Sequence, residues 1–112
     1  MSKVITSPVE HFSGKVTLYD PLTYPQLFSF QDAMDIATKL REENEESLYK
    51  WNYAILPGIF ACVENWDLKG ISNGATPETF PSTPALASVE TIAWLVNEIT
   101  SLVIEADTVK NG

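Results

Sequence analysis

Residues 48–68 read LYKWNYAILPGIFACVENWDL, and the point at which the helix within them stops decides the fold. Leu48, Trp51, Ile55, Ile59, Cys62 and Trp66 recur at helical spacing and form one apolar stripe. Tyr49, Tyr53, Leu56 and Phe60 form a second, and Ala54, Gly58 and Ala61 form a strip of small residues that a neighbour can approach closely. A helix apolar on two sides belongs in the middle of a bundle. Pro57 lacks an N–H and clashes with the carbonyl of Tyr53, so the helix must bend or restart there. The expectation is a helix over residues 47–65, kinked at Pro57, with a second piece running to about Asn65. Trp51 and Trp66 then bracket the kink on one stripe.

Upstream, Thr23-Tyr24-Pro25-Gln26 reads as a helix start. Thr23 can cap, Pro25 suits the first turn, and Gln26 stands where a capping box takes Glu or Gln. This helix covers residues 23–41, with Phe30, Ala33, Met34, Ala37 and Leu40 facing inward. The run Glu42-Glu43-Asn44-Glu45-Glu46 repels itself and reads as a solvated connection. Within residues 1–20, Val9 to Phe12 and Lys15 to Tyr19 flank Ser13-Gly14, the pattern of a β-hairpin. Asp20-Pro21 ends its second strand.

Downstream, residues 67–83 form a connection rich in proline and glycine. Gly70 and Asn73-Gly74 signal turns, and Thr76-Pro77-Glu78 can open one helical turn with Thr76 as its cap. Pro77, Pro81 and Pro84 stiffen the approach to a last helix over residues 84–106, capped by Ser82 or Thr83. Its inner face is Val89, Ile92, Val96, Ile99 and Val103, flanked by Leu95 and Leu102. The fold expected from these readings is mostly α. It is a small bundle of about three main helices, the central one kinked, with an N-terminal β-hairpin, in a single domain over residues 1–112.

Composition narrows the function. Apolar residues make up 45% of the 112, enough to fill a core. The net charge of −8 argues against binding nucleic acid, which takes a basic surface. Cys62 is the single cysteine and sits in the apolar run Ile59 to Val63, the place of a buried, inert thiol. His11 is the single histidine, so a zinc site is excluded in practice. Neither a phosphate loop, a catalytic triad nor a cofactor motif is visible. Residues 1–12 have no apolar signal-peptide region, and the longest uncharged run, Trp51 to Val63, is too short to span a bilayer. The expectation is a non-enzymatic cytoplasmic protein with no cofactor, metal or membrane partner.

Two aromatic residues break the helical pattern. Trp94 falls among Glu90, Asn97, Glu98, Ser101 and Glu105, opposite Ile92, Val96 and Val103. Phe28 lies on the side of Asp32, Asp35 and Lys39. Either ring could be covered by the hairpin or the proline-rich connection, which is the plainer reading of Phe28. Either could also anchor an interface, since tryptophan is enriched at hot spots. Trp94, with Glu90 and Glu98 beside it, and Phe28 are therefore the candidate partner-binding residues.

VTLYDPLTYPQLFSFQDAMD, ILPGIFACVENWDL and TPETFPSTPALASVETIAWLVNEI together resemble small tail proteins of long-tailed bacteriophages, of the tail assembly chaperone type. The resemblance runs over residues 16–105 and rests on Asp20-Pro21-Leu22, Leu56-Pro57-Gly58, Trp66 and the stretch from Thr76-Pro77-Glu78 to Trp94-Leu95. It implies a small, mostly helical, non-enzymatic protein acting in the host cytoplasm. Such a protein binds the tape measure protein or tail-tube subunits and keeps them soluble until the tail is built. The alternatives are a structural or accessory module retained in the virion, and an acidic inhibitor of a host protein.

Overall fold

The computed structural model describes residues 2–43 and 48–111. Residues 44–47, which hold part of the acidic connection and the expected start of the second helix, lie outside the described residues. So do the side chains of residues 48, 49 and 106–111, among them two members of the apolar stripes. In chain order the elements are β1 (Ser2–Thr6), β2 (Gly14–Tyr19), α1 (Tyr24–Glu43), α2 (Leu48–Cys62), β3 (Val63–Leu68), β4 (Ile71–Ser72) and α3 (Ala85–Asn111). Short 3-10 turns at Glu10–Phe12 and Pro77–Thr79 complete the set.

The strands form one antiparallel sheet in the order β1-β2-β3-β4. This corrects the mostly helical bundle expected from sequence: the fold is mixed α+β. The decisive error lies at the end of the second helix. It stops at Cys62 instead of running to Asn65, and Trp66 enters the core from β3. The physical reason is a β-bulge. Val16 stands opposite Trp66 and Thr17 opposite Asn65, but Leu18 pairs with Val63, leaving Glu64 as the extra residue. Val63 and Trp66 are therefore both buried although three positions apart, and that spacing mimics a helix.

The N-terminal hairpin is also drawn differently. The partner of β2 is Ser2–Thr6, in register Ile5 to Val16, and Glu10–Phe12 is a 3-10 turn. Pro8 has no N–H, the Val9 N–H is taken by the Ser7 hydroxyl at 3.1 Å, and the Phe12 N–H by the Val9 carbonyl at 3.2 Å. Val9 and Phe12 thus point inward together, as residues three apart do in a 3-10 turn. Gly14 opens β2 at φ +132°, where a Cβ would stand 2.2 Å from the Asp67 carbonyl oxygen of β3.

One face of the sheet is covered. Ile5, Val16, Leu18, Trp66, Leu68 and Ile71 share a core with Phe30 and Ala37 of α1, Leu56 and Ile59 of α2, and Leu95 and Ile99 of α3. The other face carries Val4, Lys15, Tyr19, Glu64 and Asp67, all exposed. The Ser2 hydroxyl donates to Glu64 across this face.

The expected capping box of α1 forms. The Thr23 N–H donates to Gln26 Oε1 at 2.7 Å, and the Gln26 N–H to Thr23 Oγ1 at 3.4 Å. The turn at Pro77–Thr79 is capped by Thr76 in the same reciprocal way, with Thr79 as the partner. At the start of α3, neither Ser82 nor Thr83 supplies a cap among the described hydrogen bonds. Instead the Pro84 carbonyl accepts from the Ser88 N–H at 3.1 Å, and the Ser88 hydroxyl donates to the Pro81 carbonyl at 2.7 Å.

Helices α1 and α2 are pressed together at Gly58. A Cβ there would meet the Ala33 Cβ at 2.7 Å, the Phe30 Cα at 3.0 Å and the Ser29 carbonyl oxygen at 3.0 Å. The small-residue strip thus serves a close helix approach, and α2 continues through Pro57 to Cys62 as one helix. Gly58→Ala is expected to force the helices apart and to cost about 1–3 kcal/mol, the range for overpacked cores. A urea titration with an unchanged midpoint would refute the pinch.

Tryptophan burial divides the two residues once placed on one stripe. Trp66 is 6% exposed, with Phe60 at 4.8 Å and Phe80 at 6.2 Å between ring centroids. Trp51 is only half-buried, and the Arg41 guanidinium sits 5.4 Å from its ring centre. Trp66→Ala should cost about 3–5 kcal/mol, and Trp51→Ala clearly less. Equal losses in thermal unfolding would contradict the placement.

Candidate functional site

Helix α1 presents the most conspicuous surface. Its buried line is Phe30, Ala33 and Ala37, so the opposite side meets water. On that side Tyr24 is 79% exposed and Phe28 64%, and Ile36, on the flank toward α2, is 47% exposed. Tyr24 and Phe28 are neighbours at i, i+4. Asp32 and Asp35 lie among the three and are exposed as well. An apolar row kept soluble by carboxylates is suited to contacting another chain and offers no chemistry of its own. Phe28 was legible as a break in the helical pattern. Tyr24 and Ile36 were not singled out, although their spacing from Phe28 held the signal.

The other candidates lie on α3, which is rotated from its expected setting. The buried line is Ile92, Leu95, Ile99 and Leu102, with Ser88 and Thr91 also buried. Val89, Val96 and Val103 are only half-buried. In the fold α3 packs chiefly on α2 and on the 3-10 turn at Glu10–Phe12, and it turns Leu95 and Leu102 into the core. The same rotation carries Trp94 inward, where it is half-buried and packs against the core. Glu90 remains exposed, while Glu98 approaches Lys3 of β1 at 3.8 Å. Phe80 of the proline-rich connection is buried against the rings of Phe60 and Trp66. The structure thus places Glu90, Trp94 and Glu98 along one side of α3 and Phe28 on a different helix.

His11 is exposed and meets Phe12 edge-on at 4.9 Å. Cys62 is fully buried, with Sγ 3.8 Å from the Gln26 carbonyl oxygen. Among the described residues, no group of three His, Cys, Asp or Glu is placed to hold a metal ion. Among the described residues, one helix, over Ala85–Glu105, is long and apolar enough by length and composition to cross a bilayer, and a third of its most apolar stretch is buried in the fold.

Burial pushes the Cys62 thiol up from 9.0 to about 11. The native state therefore holds a proton that the unfolded chain releases above pH 9. Its contribution is fully present below pH 9 and is lost as pH rises toward 11, by about 3 kcal/mol in the limit. Cys62→Ala should flatten this alkaline slope in denaturant titrations, and the native thiol should resist alkylation at pH 8. Rapid labelling of the folded protein would contradict both.

Comparison with protein-family models, with curated proteins and with solved structures gives no match for this chain.

Proposed function

We propose that this chain is a non-enzymatic tail assembly chaperone of a long-tailed bacteriophage, which binds the tape measure protein or tail-tube subunits in the host cytoplasm and keeps them soluble before assembly. The reading begins from the resemblance over residues 16–105. The observation that carries it is the exposed row Tyr24, Phe28 and Ile36 set among Asp32 and Asp35. Large apolar side chains held in water gain most by covering similar surface on a partner. The net charge of −8 keeps the free protein soluble and disfavours its self-association.

Co-expression with the tape measure and tail-tube proteins of the same phage tests the role. The wild type should co-purify with one of them and raise its soluble yield. Phe28→Asp should weaken capture about 30-fold or more, the effect of a hot-spot loss near 2 kcal/mol. Stability should stay within about 0.5 kcal/mol of wild type, as for surface changes. Mass spectrometry of purified virions should lack the chain; its presence would make it a retained tail component instead.

A further inference from the structure

We propose that the outer face of α2 carries one continuous furrow that docks an apolar peptide segment bearing lysine or arginine beside its apolar anchors. The inference deepens the binding role proposed above, on which it rests for its biological partner. Three hollows, of about 200, 460 and 300 Å³, adjoin across this face. Pro57 lines the first and second, and Tyr53 the second and third, so they share walls. The first reaches Asp32 and Ile36 of α1, the second reaches Glu78 in the turn before α3, and the third ends against Val89.

The furrow follows from packing already described. Gly58 draws α1 against one side of α2, while Pro57 stays exposed on the outer surface. The Tyr53 hydroxyl donates to the Phe80 carbonyl at 3.3 Å, which steadies the ring as a wall between the second and third hollows. One turn before Asp32 on α1, Phe28 is exposed as well.

Charge selects the occupant. Among the described residues, Asp32 and Glu78 are the charged ones lining the three hollows, and no lysine, arginine or histidine lines any of them. The whole chain carries −8. An acidic segment is repelled here, and a second copy brings the same excess of negative charge. A segment with cations next to its apolar residues fills the hollows and neutralises both carboxylates.

The test uses a short amphipathic peptide of leucine and lysine, titrated into the isotope-labelled full chain at physiological salt and followed by NMR. Its counterpart with glutamate in place of lysine is the control. The lysine peptide should shift the amides of Asp32, Ile36, Ala54, Glu78 and Val89, and the glutamate peptide should not. The pair Asp32→Lys and Glu78→Lys should weaken binding about tenfold or more. Asp67→Lys makes a charge reversal of the same kind on the solvent face of the sheet and should change binding less than about twofold. Shifts centred on the sheet, no binding, or equal loss in Asp67→Lys would overturn the furrow. A dimer forming without peptide through the same amides would replace the peptide with a second copy and overturn the assignment. Tail-protein capture separates the two claims. If capture fails while the peptide binds as described, the chaperone role falls and the furrow stands. If capture survives Asp32→Lys with Glu78→Lys, the role stands and the furrow is not its site.

Discussion

Trp66 reaches the core from a strand, and much of the remaining structure is arranged around that one side chain. The bulge at Glu64 lets Val63 and Trp66 both face inward. Its ring then meets Phe60 from α2 and Phe80 from the proline-rich connection. The end of α2, the strand that follows it and the proline-rich connection are thereby brought to one aromatic cluster. The backbone at the same residue is secured too: the Trp66 N–H donates to Asn73 Oδ1 at 2.7 Å, and Asn73 Nδ2 donates to Asn65 Oδ1 at 2.7 Å. The free edge of β3 is thus capped by a turn side chain where β4 is too short to pair it.

The proline-rich stretch takes its purpose from that cluster. Pro77, Pro81 and Pro84 stiffen the segment, but Phe80 decides where it goes. Phe80 is buried, its carbonyl accepts from the Tyr53 hydroxyl, and the Pro81 carbonyl accepts from Ser88. The connection is therefore tied to α2 at one point and to α3 at the next. Its first turn, carrying Glu78, is left beside Pro57 at the surface.

The two sides of the molecule differ in how they meet solvent. The sheet's outer face mixes Lys15, Glu64 and Asp67 with Val4 and Tyr19. The helical side instead groups apolar surface with carboxylates: Phe28 and Ile36 with Asp32 on α1, and Pro57 with Glu78 across α2. The asymmetry arises from close helix packing at Gly58 and from the inward rotation of α3. Together they engage the strongest apolar lines in the core and leave shorter apolar segments outside.

Residues near one another in sequence determined two of the three expected caps and most of the helix positions by themselves. Thr23 with Gln26 and Thr76 with Thr79 act across a single turn, so no distant contact can reassign them. The inner line of α1 was legible for the same reason. The end of α2 was not, because a bulged strand buries residues at i and i+3 just as a helix does. Only pairing with β2 shows that Glu64 is the residue left over. The setting of α3 was likewise ambiguous in sequence, since Val89, Val96 and Val103 compete with Leu95 and Leu102 for the core. Packing in the folded chain settled that competition in favour of Leu95 and Leu102. It turned Trp94 from an apparent surface anchor into a half-buried side chain, while Phe28, for which cover by the hairpin or the proline-rich connection was the plainer reading, stands exposed.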